Sequence, residues 1–321
     1  MEKRLVIGID IGGQSTKCGV VNENGTILEQ CAITSLLTDL DGYIALLADT
    51  VRTLVGKTES EGTVIKIGAG APNANFYKGT IEYAPNLRWA RDPDGEPTVI
   101  PFADMLSNAT GLPVVLTNDA NAAALGEKTY GAARGLNNFI MITLGTGVGS
   151  GIVIDGKLVY GHDGFAGELG HVCVVPDGRE CGCGLKGCLE TYASAIGVAR
   201  TAVQLLNEDS RPSLLRSIKK ETLSSKSVYD AAVKGDIIAK EIFTQTGRIL
   251  GHAFADFVKF SSPQAIVLFG GLTKSREFFH DEMVRAMNNN LMPIWKNKIE
   301  ILYSTLNESD AAILGASSLA W

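Results

Sequence analysis

The residues best suited to chemistry lie in two glycine-rich turns, a strand-to-helix junction and a cysteine-rich loop. The first turn is Asp10-Ile11-Gly12-Gly13-Gln14-Ser15-Thr16-Lys17. Backbone N–H groups of closely spaced glycines can form a concavity that binds phosphate. The Asp10 carboxylate beside them could hold a phosphate-bound Mg²⁺ through water. A plain hairpin that ends in a carboxylate is the alternative, and the Gly-x4-Gly-Lys-Ser/Thr spacing of a P-loop is absent.

The second glycine turn is Leu144-Gly145-Thr146-Gly147-Val148-Gly149-Ser150-Gly151. So many glycines in a strand pair cost conformational entropy, and the close approach of a phosphate is a good reason for them. Because the glycines alternate and a hairpin strand follows, a dinucleotide-binding turn is excluded. The literal Gly-x-Gly-x-x-Gly at Gly182, Gly184 and Gly187 has no preceding strand, so we interpret it as a chance match.

Asp119 lies between the apolar stretch Val114–Leu116, which predicts a strand, and a helix-forming stretch that begins at Ala120. An aspartate or asparagine at such a junction is an ordinary helix N-cap, and this is the favoured interpretation of the segment alone. A carboxylate there could instead accept the proton of an attacking hydroxyl in phosphoryl transfer. The residues themselves leave both roles open.

The cysteine-rich loop predicts a zinc site. One imidazole and three thiolates would complete a closed tetrahedral shell, so we expect a structural rather than a catalytic ion. The spacing is His-x9-Cys-x-Cys-x4-Cys, formed by His171, Cys181, Cys183 and Cys188. Cys173 is close enough in sequence to be a rival ligand, whereas Cys18 and Cys31 are predicted to be small buried side chains on strands.

Glu168 and Glu190 flank the metal loop in sequence. They could support the metal ligands, remain solvated, or accept hydrogen bonds from a polyhydroxylated ligand. The sequence chemistry does not separate these roles.

A repeated layout positions these groups: strand, glycine turn, strand, hairpin, strand. The predicted strands are Arg4–Ile11, Lys17–Asn22 and Thr26–Ile33, then Asn138–Leu144, Gly151–Ile154 and Lys157–Tyr160, and later Ala265–Phe269. The repeat predicts two related α/β domains that share a close interface around a cleft.

Helical periodicity supplies the remaining elements. The predicted helices are Leu40–Val55 with Asp41 as N-cap, Ala120–Thr129, Ala195–Leu206, Ser227–Lys234, Ile237–Phe260, Phe278–Asn288, and Ser309–Leu319 capped by Ser309.

Composition excludes several classes of protein. Of the 321 residues 45% are hydrophobic, which argues against disorder. The net charge of −6 provides no positive electrostatic potential that would attract nucleic acid or anionic lipid. The N-terminus has no signal-peptide core, and no apolar run is long enough to span a membrane. We therefore expect a cytoplasmic protein with reduced cysteines.

Together these residues resemble the ROK family (repressors, uncharacterised reading frames and sugar kinases), which belongs to the sugar-kinase, actin and heat-shock ATPase superfamily. The diagnostic stretch is Leu144–Glu190, which contains Gly167-Glu168-Leu169-Gly170-His171 and Cys181-Gly182-Cys183-Gly184-Leu185-Lys186-Gly187-Cys188-Leu189-Glu190. Other matching segments are Asp10–Lys17, Ala84-Pro85-Asn86-Leu87, Asn118-Asp119-Ala120-Asn121 and Phe269-Gly270-Gly271. The resemblance covers the whole chain.

The resemblance implies an α/β fold of two ribonuclease-H-like domains, with ATP and a sugar in a central cleft. The N-terminal domain would comprise residues 1–120, completed by a C-terminal helix at about 306–321. The second domain would comprise residues 121–305 and carry the zinc loop.

The resemblance also implies residue roles. Asp119 would be the base that deprotonates the sugar 6-hydroxyl. The residues implied to hold the sugar are Asn118, Asp119, Glu168, His171 and Glu190, and His171 would also bind zinc with Cys181, Cys183 and Cys188. Those implied to surround Mg²⁺ and ATP are Asp10, Gly12, Gly13, Ser15, Thr16, Lys17, Gly145, Thr146, Gly147, Gly270 and Gly271.

The implied activity is ATP-dependent phosphorylation of a hexose at its 6-hydroxyl by a homodimer. Glucose is the leading substrate, and N-acetylmannosamine or N-acetylglucosamine is the alternative. The family's DNA-binding repressors carry an N-terminal helix-turn-helix, whereas the first strand predicted here starts at Arg4. A non-catalytic sugar sensor is a further alternative, against which Asp119 argues.

Two departures from the family pattern affect these expectations. Gln14 stands where members usually have threonine, so Ser15 or Thr16 would supply the hydroxyl to the phosphates. The loop Ala71-Pro72-Asn73-Ala74-Asn75-Phe76 replaces the common Pro-Gly version near the sugar.

Overall fold

Two five-stranded sheets with equivalent strand order organise this chain. The fold is that of a computed structural model, described for residues 3–307 and 309–321. The strands of this part of the chain are β1 (Arg4–Ile11), β2 (Ser15–Asn22), β3 (Ile27–Thr34), β4 (Thr63–Ala71), β5 (Ala74–Asn75), β6 (Thr80–Glu82), β7 (Val99–Ile100), β8 (Val114–Asn118), β9 (Phe139–Leu144), β10 (Val148–Ile154), β11 (Lys157–Leu158), β12 (Ala265–Phe269) and β13 (Glu300–Tyr303). The α-helices are α1 (Leu40–Lys57), α2 (Phe102–Thr110), α3 (Asp119–Thr129), α4 (Glu190–Ala193), α5 (Ala195–Glu208), α6 (Ser225–Val233), α7 (Ile237–Ser261), α8 (Arg276–Asn289) and α9 (Ala311–Ser317).

The two large sheets repeat one topology. The first sheet has the order β3-β2-β1-β4-β8, in which β1 pairs antiparallel with β2 and parallel with β4. The second has the order β11-β10-β9-β12-β13, in which β9 pairs antiparallel with β10 and parallel with β12. The duplicated layout predicted from the sequence is therefore confirmed. A small antiparallel sheet, β5-β6-β7, is separate from both.

The C-terminal helix packs on the first sheet. Strand β1 is an almost continuous apolar run, and Leu5, Val6 and Ile7 are each at most 1% exposed, as expected for a strand covered on both faces. A Cβ atom at Gly8 would overlap the carbonyl oxygen of Ile313 in α9. Glycine at position 8 therefore allows α9 to reach the sheet. The division of the chain into domains at residues 120 and 305 stays a prediction.

Two predicted helix N-caps are wrong. Asp39, rather than Asp41, caps α1: its backbone is extended and its side chain accepts from the N–H of Gly42 at 2.8 Å. Asp41 already lies in the first helical turn, where its negative charge complements the helix dipole. The last helix runs from Ala311 to Ser317 after Asp310, so Ser309 lies before its cap.

The carboxyl ends of the strands place the chemically interesting residues. Asp10 lies near the end of β1, and Asn118 ends β8 where α3 begins. In the second sheet, the turn at Gly145 follows β9 and the pair Gly270-Gly271 follows β12. Ligand sites of open α/β sheets lie at this edge. Within residues 3–307 and 309–321, no helix combines the length and apolar character needed to cross a membrane.

Candidate active site

A cleft of about 730 Å³ brings together nine of the nineteen predicted site residues, including all five that are implied to hold the sugar. The predicted residues that line it are Asn118, Asp119, Gly145, Thr146, Gly147, Glu168, His171, Glu190 and Gly270. Asp10 lines an adjoining cavity of about 240 Å³ together with Asp119. Gly271 lines a third cavity of about 500 Å³, which shares Gly145 and Thr146 with the cleft. The site is thus one cleft with two side cavities that meet at Asp119 and at the second glycine turn.

The two roles that the sequence left open for Asp119 were helix N-cap and proton acceptor, and the structure gives the N-cap to Asn118. Asn118 is the N-cap of α3, and its Oδ1 accepts from the N–H of Ala120 at 2.9 Å. Asp119 is the first helical residue, and its Oδ1 accepts from the same N–H at 2.8 Å. Solvent reaches Asp119 through the cleft, yet protein surrounds the carboxylate on most sides, and this desolvation raises its pKa. A raised pKa makes a carboxylate a better proton acceptor near neutral pH.

Asp10 is a second carboxyl group with a perturbed pKa. Burial and the negative charge of Asp119 raise the pKa of Asp10 to about 6, although Lys17 opposes the shift. Lys17 is the cross-strand partner of Asp10 in the β1–β2 pair, which explains its proximity. Two carboxylates that repel each other across a cleft provide a site that a cation would stabilise.

The zinc ligands predicted from the cysteine spacing converge. The ligand atoms of His171, Cys181, Cys183 and Cys188 all lie within 4.8 Å of one another. The Cys181 Sγ atom is 3.6 Å from His171 Nδ1, and the Sγ atoms of Cys183 and Cys188 are 3.7 Å apart. Tetrahedral zinc with bonds of about 2.0–2.3 Å separates its ligand atoms by roughly these distances. The cluster therefore fits a structural zinc, and among the residues described Cys173 is not a member of it.

The two ring nitrogens of His171 separate its expected roles. Nδ1 faces the thiol cluster, whereas Nε2 lies 4.0 Å from a carboxylate oxygen of Glu168, which lines the cleft. A metal bound at Nδ1 would fix the ring orientation and leave Nε2 for a ligand in the cleft. One histidine can thus serve a zinc ion and a cleft ligand at the same time.

Glu190 connects the metal cluster to the second glycine turn. Its Oε1 accepts from the protonated Cys181 thiol at 2.9 Å, a contact that a zinc-bound thiolate would not make, and its Oε2 lies 2.7 Å from the position that a Cβ atom would take at Gly147. Glu190 is the first residue of α4, directly after the cysteine-rich loop. A disturbance of the metal cluster would therefore reach both the cleft wall and the glycine turn.

Thr16 does not lie where the resemblance implied. It is fully buried, and its hydroxyl is within hydrogen-bond distance of the Ser35 hydroxyl at 2.8 Å and the Tyr43 hydroxyl at 2.6 Å. Alternation along β2 turns Thr16 into the core, so its hydroxyl is not available to a phosphate. We therefore correct that assignment. Ser15, its neighbour, is exposed.

The cleft also contains residues that the sequence reasoning did not assign. Asn73 and Asn86 line it, the former with a left-handed backbone (φ 52°) and an amide that donates to the Tyr83 carbonyl at 3.3 Å. A Cβ atom at Gly13 would lie 2.9 Å from the Asn86 carbonyl oxygen, so glycine at 13 allows the first turn to approach this loop. The signal that could have identified Asn86 was its segment Ala84–Leu87, which matches the family pattern.

Comparison with known proteins agrees with this arrangement. The sequence model of the ROK family matches residues 6–321. The glucokinase of Halalkalibacterium halodurans is 36% identical over 324 residues, covering 99% of this chain and 96% of that protein. The crystal structure of a ROK family glucokinase from Streptomyces griseus in complex with glucose and AMPPNP has a TM-score of 0.77 at 34% identity, with 98% of this chain and 99% of that one covered. For a ROK hexokinase from Thermus thermophilus the TM-score is 0.81 at 30% identity, with coverage of 98% and 97%. These neighbours confirm the expected fold class, and the chain belongs to the ROK family.

Proposed function

We propose that this protein is an ATP-dependent hexokinase that phosphorylates the 6-hydroxyl of glucose. The observation that carries the proposal is the position of Asp119, whose desolvated carboxylate lies in one cleft with polar side chains and a glycine turn. The similarity to proteins named glucokinase and to a structure in complex with glucose and AMPPNP supports the same substrates.

In this proposal Asp119 is the general base. Asn118 already caps α3, so the cap does not depend on the Asp119 carboxylate. The carboxylate accepts the proton of the 6-hydroxyl as its oxygen bonds to the γ-phosphorus of ATP and ADP leaves. Burial raises the pKa of Asp119, which makes its carboxylate a stronger base near neutral pH.

The sugar would lie between Asp119 and the metal cluster. Glu168, Glu190 and the Asn118 amide offer hydrogen-bond acceptors and donors for sugar hydroxyls, and His171 Nε2 adds one more polar group. A zinc ion would have a structural role only, because its four protein ligands leave no coordination position open for a substrate. It would hold His171 and the loop that leads into Glu190.

The phosphates would lie against the two glycine turns. Gly13 and Gly147 offer backbone N–H groups, and Ser15 offers an exposed hydroxyl. The N–H groups of Gly12 and Gly145 instead close the turns, because they donate to the Ser15 and Gly147 carbonyls at 3.0 and 3.1 Å. Mg²⁺ bound with the nucleotide would neutralise phosphate charge, and Asp10 is the carboxylate placed to hold it through water. The adenosine would occupy the third cavity, where Gly271 and the Tyr229 ring line the wall.

The domain boundaries, the oligomeric state and the location of the protein are further parts of this proposal. We propose two domains at the boundaries given above, and the packing of α9 on β1 supports assigning the C-terminal helix to the first. A homodimer and a cytoplasmic location remain predictions. Light scattering coupled to size-exclusion chromatography tests the dimer.

Release of ADP across a panel of sugars tests the function. The panel comprises glucose, mannose, fructose, N-acetylglucosamine and N-acetylmannosamine. Turnover with glucose at the highest kcat/KM is expected. Higher kcat/KM with an N-acetylhexosamine would replace the substrate, and no turnover with any sugar would overturn the kinase itself.

A further inference from the structure

Two cysteines outside the kinase cleft face each other across neighbouring strands. Cys18 on β2 and Cys31 on β3 are direct cross-strand partners in an antiparallel pair. Directly opposite residues in such a pair project to the same face and have Cα atoms about 4.5–5.5 Å apart. A disulfide requires a Cα separation of about 4.4–6.8 Å. The Cα separation of such a pair therefore permits a disulfide without a change of register.

The face that they share is covered by α1. Thr16 lies two residues before Cys18 on the same face of β2, and its hydroxyl meets Tyr43 of α1. Cys18 is fully buried beneath this helix, whereas Cys31 is only partly buried. The pair thus has one inner thiol and one outer thiol.

A cavity of about 290 Å³ opens onto the outer thiol. Cys31, Thr50, Asp49 and Lys57 are among the residues that line it. Lys57 also forms an ion pair with Glu29 at 3.7 Å. A molecule of the size of a small hydroperoxide fits this volume and reaches Cys31 before Cys18.

The electrostatic environment also distinguishes the two thiols. The hydrogen bond with the Cys18 thiol, aided by the Lys57 ammonium and opposed by burial and Glu29, lowers the pKa of Cys31 to about 7. The same interaction, together with burial, raises the pKa of Cys18. Near neutral pH a large fraction of the outer thiol is therefore the thiolate, which is the nucleophilic form, whereas the inner thiol keeps its proton.

We propose that Cys31 and Cys18 form a redox pair, in which a hydroperoxide oxidises Cys31 and Cys18 closes a cross-strand disulfide. The Cys31 thiolate attacks the peroxide: an S–O bond forms, the O–O bond breaks, and the leaving oxygen takes a proton to become an alcohol or water. The Cys18 thiol then attacks the sulfenic sulfur: an S–S bond forms, the S–O bond breaks, and the hydroxide leaves as water with the thiol proton. The two thiols lose two electrons, which reduce the peroxide.

This modification site is independent of the proposed kinase reaction. It uses no residue of the cleft, although β2 begins directly after the first glycine turn. The disulfide joins β2 to β3, and a dithiol reductant reverses it.

Peptide mapping of the full-length protein after limited hydrogen peroxide treatment tests the proposal. Non-reducing digestion should give a Cys18–Cys31 cross-linked peptide, lighter by two hydrogens than the sum of its parts and lost after dithiothreitol. Mapping at the peptide level separates this product from any disulfide within the cysteine-rich loop. A wild-type protein in which Cys18 stays alkylatable while Cys31 is oxidised would overturn the proposal, as would one in which both thiols stay reduced.

Two variants test which thiol is oxidised first and which one closes the disulfide. In Cys18→Ser, the sulfenic acid at Cys31 cannot be resolved, so dimedone should label Cys31 more strongly than in the wild type. In Cys31→Ser, neither the cross-link nor dimedone labelling of Cys18 is expected. Equal dimedone labelling of Cys31 in the wild type and in Cys18→Ser would show that Cys18 does not resolve the sulfenic acid. That result would overturn the proposed redox pair.

Discussion

Asn118 and Asp119 share one backbone donor, the N–H of Ala120, which lies 2.9 Å from the Asn118 Oδ1 and 2.8 Å from the Asp119 Oδ1. The extended backbone of Asn118 makes it the cap of α3, while Asp119 is already inside the helix. The helix therefore keeps a capping side chain when the aspartate changes. This redundancy separates catalysis from stability at position 119.

Asp119→Asn should lower kcat by roughly 10²–10⁴-fold, because the amide keeps the size of the side chain but cannot accept the proton. Sugar affinity should change little, since the amide can still hydrogen-bond to the hydroxyl. The melting temperature should stay or rise slightly, because a desolvated carboxylate is removed. Steady-state kinetics and thermal unfolding measure all three. Asp39→Asn at the cap of α1 is the matched control and should leave turnover unchanged; normal turnover in Asp119→Asn would contradict the mechanism.

Asp10→Asn should stabilise the protein without nucleotide or metal at neutral pH and abolish turnover. Burial and Asp119 raise the pKa of Asp10 from 3.8 to about 6. Because the pKa of Asp10 is higher in the folded state than in the unfolded state, the contribution of Asp10 to the free energy of unfolding is fully present below about pH 4. This contribution is lost as the pH rises through about 6. The melting-temperature gain of the variant over the wild type should therefore be large at pH 7–8 and vanish near pH 4. A gain that does not depend on pH would show that Asp10 is not desolvated.

Turnover should require a divalent cation. Asp10 and Asp119 repel each other in the adjoining cavity, and the phosphates of the donor add further negative charge. EDTA should stop ADP release, and added Mg²⁺ should restore it. Activity that survives chelation would remove the role proposed for Asp10.

Elemental analysis should find one zinc per chain in protein purified without added metal. Cys183→Ser should lose the metal, lower the melting temperature and raise the KM for the sugar, because His171 and Glu190 lose their support. Cys173→Ser is the control, since Cys173 is exposed and lies outside the ligand cluster. It should keep the zinc and the sugar affinity. Folded, active wild-type protein without zinc would contradict the prediction.

Thr16→Val and Ser15→Ala should affect different properties. Valine keeps the shape of Thr16 but leaves the buried Ser35 and Tyr43 hydroxyls without that partner, so the free energy of unfolding should fall by about 1–3 kcal/mol. Ser15→Ala should raise the KM for ATP and leave stability within about 0.5 kcal/mol of the wild type. Chemical unfolding and ATP titrations distinguish the pair. The reverse pattern would restore Thr16 to the phosphate site.

The secondary structure that the sequence did not predict depends on packing for its stability. Strand β4 contains Lys66 and ends in four small residues, Gly68 to Ala71, and glycine weakens an isolated strand. In the folded protein a Cβ atom at Gly68 would overlap the Ala316 carbonyl of α9. The feature that disfavours a strand locally is thus what allows a distant helix to cover it.

The sequence by itself determined the elements whose chemistry is local. The cysteine spacing predicted the metal cluster, because ligands a few residues apart are held together by the chain itself. Only the tertiary structure decided which atoms face which neighbour. It turned the Thr16 hydroxyl towards Tyr43, and it separated the two nitrogens of His171 between the thiol cluster and Glu168. These contacts depend on packing between elements or on the rotation of one side chain, and neither is encoded in local spacing.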